Sequence, residues 1–172
     1  MKKPAKPVLL LVICLLCFSV QKLQAQKLFF LFGHALYNSP VQKNLKDGYN
    51  YGLGGEAGFG IGADKTFFTG TIGYTKFNSV SGNAAGNLTY VPVKLGIRQY
   101  VFAKLLFVNA NAGIANINPK NGDAQSRFTA DAGVGVKLAG LDLGINYDGY
   151  AASNPSGWAS WISFKAGFRI GL

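Results

Sequence analysis

Ser160-Trp161-Ile162-Ser163-Phe164-Lys165-Ala166-Gly167-Phe168-Arg169-Ile170-Gly171-Leu172 is the stretch whose reading decides the fold. Ser160, Ile162, Phe164, Ala166, Phe168, Ile170 and Leu172 share one parity, and Trp161, Ser163, Lys165, Gly167, Arg169 and Gly171 share the other. A period of two held over a dozen residues is that of a β-strand, whose side chains leave alternate faces.

Working back along the chain, the same period returns in blocks of about ten residues, the length of a membrane-crossing strand. Leu141, Leu143, Ile145 and Tyr147 alternate with Asp142, Gly144, Asn146 and Asp148, and Phe128 to Leu138 repeats the pattern. So do blocks at 105 to 117, 88 to 101, 66 to 77 and 51 to 61. Only Lys27 to Tyr37 is ambiguous, because Leu28 to Phe32 is apolar on both parities. Eight strands result. Links near 38–50, 79–87, 118–126 and 151–158 are long and polar; those near 62–65, 102–104 and 139–140 are short. Long and short links in strict alternation predict an all-β fold: an eight-stranded antiparallel up-and-down transmembrane β-barrel with both termini on the short-turn side.

Residues 1 to 25 read as a cleavable signal peptide, leaving 26 to 172 as one barrel domain. Lys2, Lys3 and Lys6 precede an apolar run from Val8 to Val20, and Leu23-Gln24-Ala25 offers a small residue for cleavage before Gln26. A membrane anchor would need about 20 apolar residues, and a lipoprotein signal would want a small residue where Leu16 precedes Cys17. Export removes Cys14 and Cys17, the only cysteines, and with them any disulfide or thiolate metal site. It also removes Lys22 and the three leading lysines, so a formal charge of +10 falls to a net excess of 13 basic over 7 acidic residues.

Alternation does not say which face looks inward. Only 14% of residues are charged, against the roughly 25–35% of a water-facing surface. The polar parity is Gly, Thr, Asn and Ser, small enough for the interior of a narrow cylinder. The apolar face therefore meets lipid. On the polar face Glu56, Asp131, Asp142 and Asp148 nearly balance Lys94, Arg98, Lys137, Lys165 and Arg169. Buried charges persist when paired, which predicts a lumen ion-pair network. Lys76 is the exception on the apolar face, near enough to a strand end to snorkel. Tyr37, Tyr51, Phe68, Tyr74, Tyr147 and Phe168 are placed for interfacial girdles.

The Leu23-Gln24-Ala25-Gln26 leader end, the strand Tyr90-Val91-Pro92-Val93-Lys94-Leu95-Gly96 and the closing Phe164 to Leu172 resemble small outer-membrane β-barrel proteins of Bacteroidetes-type bacteria. These belong to the broader OmpA/OmpX-like class, often grouped as a porin family. The resemblance covers the whole mature chain and implies an integral outer-membrane location and assembly by the barrel machinery. Such barrels often end in an aromatic; here Leu172 is last and Phe168 is the nearest ring.

Enzymatic and cofactor signals are weak. Gly52, Gly54 and Ala57 satisfy the letter of a dinucleotide fingerprint, which works only at a strand-to-helix turn; here they lie within a strand. His34, the only histidine, has no nucleophile motif beside it and reads as packed or interfacial. No cofactor or metal is expected. Asn87-Leu88-Thr89 is a glycosylation sequon without weight in a bacterial protein. Lys43, Lys46, Lys120 and Arg127 lie in or beside long links, where they could meet phosphates of lipopolysaccharide or other anionic glycolipid, or simply be solvated. No nucleic-acid partner is expected, and a closed barrel needs no second copy to cover its edges. The function expected is a non-enzymatic barrel with a packed lumen, serving envelope structure or surface contact. A narrow porin-like channel is the alternative, obstructed by Tyr90, Lys94, Arg98 and Trp161. A lipid A-modifying enzyme would need a lipid-facing or rim cleft at His34, and a secretion-apparatus subunit would leave no sequence mark.

Overall fold

The structure is a computed structural model that describes residues 28–84, 86–102, 104–152 and 157–171. The leader, its cysteines and Leu172 lie outside the described residues. Eight antiparallel strands close into one barrel: β1 (Leu28–Pro40), β2 (Tyr49–Ala63), β3 (Thr66–Ser79), β4 (Leu88–Phe102), β5 (Leu106–Pro119), β6 (Gln125–Leu138), β7 (Leu141–Ala152) and β8 (Gly157–Gly171). β8 returns to pair with β1, from Phe30↔Gly171 to Pro40↔Trp161. Closure matters because lipid offers no partner to a bare N–H or C=O.

The strands overrun the expected boundaries and shorten the long links. They hold 12 to 15 residues, more than the about 9–11 that cross a bilayer. The excess lies at the long-loop end, where the outward residues of β5 turn from Ile114 to Asn116 and Asn118. The first long link carries a one-turn helix, α1 (Lys43–Lys46), which the strand periodicity did not foretell. At the short-turn end, Ala139 and Gly140 take φ of +46° and +92°, as a two-residue I′ hairpin requires. The β3–β4 ladder breaks between Ile72↔Val93 and Thr75↔Tyr90, where Pro92 has no N–H to give.

The apolar parity faces outward: Leu95, Phe168 and Ile170 are each 71% exposed. All six girdle aromatics are exposed on this face, and Tyr37 stacks on Tyr51 at 6.1 Å between centroids. In β1 the even residues turn inward, so Phe30, Phe32, His34, Leu36 and Asn38 are buried while Leu31 and Tyr37 are exposed.

Inside, glycine and aromatic rings are complementary. A Cβ at Gly60 would run into the Phe30 ring, one at Gly58 into Phe32, one at Gly135 into Phe107, and one at Gly52 into Phe77. An outward Gly33, by contrast, leaves 3.8 Å to its nearest neighbour. Gly60→Leu should therefore lower the urea midpoint of the refolded barrel, by about 1–3 kcal/mol of overpacking strain, while Gly33→Ala should leave it unchanged or raised. Equal effects at the two sites would mean that the rings do not occupy the space the glycines leave.

Candidate functional site: the layered lumen

The lumen is built in three layers. At the long-loop end Phe77, Leu88, Tyr90, Ile117 and Trp161 form a buried cluster that Leu45 of α1 and Tyr49 complete. Trp161 meets Phe77 and Tyr90 edge-on, at 5.1 and 5.0 Å. At the short-turn end Phe30, Phe32, Phe67, Tyr100 and Phe107 form a second cluster. Between the two plugs lie the charges.

Lys94 reaches across from β4 to two carboxylates, Asp131 Oδ2 at 2.8 Å and Asp148 Oδ2 at 2.7 Å. Asp131 Oδ1 accepts further bonds from Asn111 Nδ2 (2.8 Å) and Asn146 Nδ2 (2.6 Å). Thr129 gives its hydroxyl hydrogen to the Gly149 carbonyl at 2.7 Å. The Tyr90 hydroxyl lies 2.5 Å from that of Thr129 and 3.4 Å from Asp148 Oδ1, to which it donates. Lys165 Nζ pairs with Glu56 at 2.9 Å, and Arg98 Nη1 with Asp142 at 2.6 Å.

His34 links these last two pairs. Its Nδ1 lies 2.9 Å from Glu56 Oε1 and its Nε2 3.8 Å from Asp142 Oδ2. The first distance is a hydrogen bond and the second only an ion-pair approach. His34 thus stands between two of the four carboxylates that the layer sets against Lys94, Arg98 and Lys165. The sequence reading gave His34 no partner. A usable signal was present: Tyr37 as an outward girdle residue puts every even residue of β1, His34 among them, in the lumen.

Seven of the nine charged residues expected in the network meet an opposite charge: Glu56, Lys94, Arg98, Asp131, Asp142, Asp148 and Lys165. Lys137 and Arg169 do not. Lys137 stands opposite Asp142 in the β6–β7 register, but that carboxylate is taken by Arg98 deeper in the barrel. Arg169 lies over the rings of Phe30 and Tyr100, at 4.7 and 5.3 Å, and bonds the Tyr100 hydroxyl. Cation–π contact stands there in place of an ion pair. Arg98 uses both devices, with its guanidinium 4.2 Å from the Phe107 centroid.

Among the described residues no group of three or more His, Cys, Asp or Glu side chains could hold a metal ion. The cavity between the plugs, lined by His34, Glu56, Arg98, Asn109 and Lys165, has about 20 Å³ in which a water's centre can lie. That is space for about one water. Arg98 Nε and Asn109 Oδ1, buried there without a partner, are the atoms such a water would serve. Of the four link cations, Lys43, Lys46 and Lys120 are exposed. Arg127 belongs to β6, on its inward row opposite Ala115, and bonds Gln125. It turns into the barrel mouth and not outward, because its parity is that of Thr129 and Asp131.

Removing one partner of a buried ion pair strands the other. Lys94→Met should lower the unfolding free energy of the refolded barrel by about 3–5 kcal/mol, followed by tryptophan fluorescence in urea. Adding Asp131→Asn and Asp148→Asn should recover part of it. A Lys94→Met barrel as stable as the parent would mean that the pairs contribute no net stability.

No protein-family profile and no curated protein matches the sequence. Solved structures do. The outer membrane protein Ail of Yersinia pestis, in a phospholipid bilayer nanodisc, superposes with a TM-score of 0.58 at 12% identity, over 83% of this chain and 99% of Ail. The N-terminal β-barrel domain of OprF of Pseudomonas aeruginosa superposes with a TM-score of 0.57 at 15% identity, over 84% of this chain and 100% of that domain. At such identities the likeness is one of fold: the chain has the closed eight-stranded fold of bacterial outer-membrane barrels.

Proposed function

We propose that this protein is a non-enzymatic integral barrel of the bacterial outer membrane, serving envelope structure or surface contact through its long-loop end and passing no solute. The observation that carries this reading is the double seal. Trp161, Phe77 and Tyr90 are 1%, 0% and 2% exposed across one end, and five rings close the other. A conducting pore needs a continuous water path, and the space between the seals holds about one water. Catalysis on membrane lipid would need a cleft open to lipid or to the rim. His34 is instead 7% exposed, with its ring nitrogens turned to Glu56 and Asp142 inside the wall.

The exposed Lys43, Lys46 and Lys120 supply surface contact, meeting phosphates of lipopolysaccharide or a comparable anionic glycolipid. A signal peptide delivers the chain to the barrel assembly machinery, and the product is a monomer, since closure leaves no strand edge to cover.

Planar-bilayer recording of the refolded mature protein, with a heat-shift gel as proof of folding, tests the reading. A heat-modifiable band without steady conductance is expected. Trp161→Ala combined with Phe77→Ala should also stay silent, because the second plug and the ion-paired layer remain. Steady ion-selective openings of the parent protein would overturn the proposal in favour of a narrow channel.

A further inference from the structure

We propose that Lys76, with the depression below it in the outer wall, binds one acylated lipid that carries a phosphate, in the leaflet on the long-loop side. This rests on the barrel standing in a membrane and adds to it a specific occupant of the wall.

Lys76 is the one charged residue on the outward face of the described strands. It is exposed and has no carboxylate within ion-pair distance among the described residues. It pairs with Leu53 of β2 and Thr89 of β4, three residues from the end of β3. That is the level of the girdle residues Tyr51 and Tyr74, where lipid head groups begin. A cation on the lipid-facing wall is a functional-site hypothesis whose partner must be named, and at this level a lipid phosphate is the anion within its reach.

Below it the wall is hollowed. Gly33, Ala35, Gly55, Ala57 and Ala166 floor a broad, open depression of about 740 Å³ shared by β8, β1, β2, β3 and β4, with Tyr74 on its rim. Tyr74 stands opposite Gly55, so Lys76 is two residues, about 7 Å, above the floor at ~3.4 Å per residue. The barrel does not require this hollow. A Cβ at Gly33 would meet its nearest atom at 3.8 Å and one at Gly55 at 3.4 Å, both ordinary contacts, and neither glycine has positive φ. Glycine inside a strand weakens it and often marks close approach of a ligand. The hollow takes an acyl chain, and the ammonium of Lys76 takes the phosphate above it. A smaller recess of about 500 Å³ beside Ala110 and Ala132 has no cation on the wall above it and serves as an internal control.

The test uses the refolded mature protein, equilibrated in micelles with monophosphoryl lipid A or with the same lipid lacking its phosphate, and read by native mass spectrometry. One phosphorylated lipid should be retained per barrel. Lys76→Gln and Ala57→Leu, the latter filling the hollow, should each reduce retention at least tenfold, Lys76→Arg should preserve it, and Ala132→Leu should not change it. Equal retention of the dephosphorylated lipid, an equal loss in Ala132→Leu, unchanged binding in both Lys76→Gln and Ala57→Leu, or a lipid-free dimer would overturn the proposal. A heat-shift gel on every sample separates these failures from failure of the barrel reading itself, which would appear as loss of the heat-modifiable band in the parent protein.

Discussion

Lys94, reaching across the lumen to carboxylates of β6 and β7, shows the constraint on which the rest of this interior depends. An eight-stranded cylinder is only wide enough for side chains to fill, and a charge inside it must lie beside its opposite. Lys94 is 4% exposed, and Asp131 and Asp148 are each 5% exposed. None of the three could stay ionised there alone. The asparagines around Asp131 and the Tyr90–Thr129–Gly149 chain add further hydrogen bonds to the layer. The polar layer thus fixes the relative height of β4, β6 and β7 in a way that apolar packing alone would leave free.

The same narrowness explains the glycines. A ring as large as Phe30 or Phe107 fits the lumen only where the facing strand presents no side chain, and Gly60 and Gly135 make that space. Rings gather at the two ends and charges in the middle. Each plug then shields the ion pairs from water and raises their strength, because interactions between charges grow as the local dielectric falls. The guanidinium of Arg98 joins the layers, paired with Asp142 and lying over the Phe107 ring, whereas that of Arg169 lies against rings alone.

Much of this was legible because strand periodicity is a local signal: parity alone places Lys94, Asp131, Asp148 and Lys165 on one face, and alternating link lengths give the topology. Two things were not legible. Both parities of β1 are apolar at its start, because its inward Phe30 and Phe32 belong to a plug and its outward Leu31 meets lipid, so a two-sided apolar run hid the face of His34. Which charges touch was hidden too. Lys137 and Asp142 are register partners, yet a long arginine of β4, three strands from β7, reaches across the lumen and captures the carboxylate. Parity gives the face of a residue, whereas pairing across a lumen depends on side-chain reach.

A closed interior moves the question of function to the outside. Most inward residues fill, pair or seal, and between the two plugs the lumen leaves space for about one water. The wall is different. Its outward residues answer only to lipid, for which any large apolar side chain serves, and most positions obey that rule. Lys76, Gly33 and Gly55 are among those that do not, as are Ala110 and Ala132, but only Lys76 adds a charge, and neither glycine is held there by a close contact or a positive φ. Departures from the cheapest solution, where the fold does not ask for them, are the places at which a barrel surface can distinguish one lipid from another.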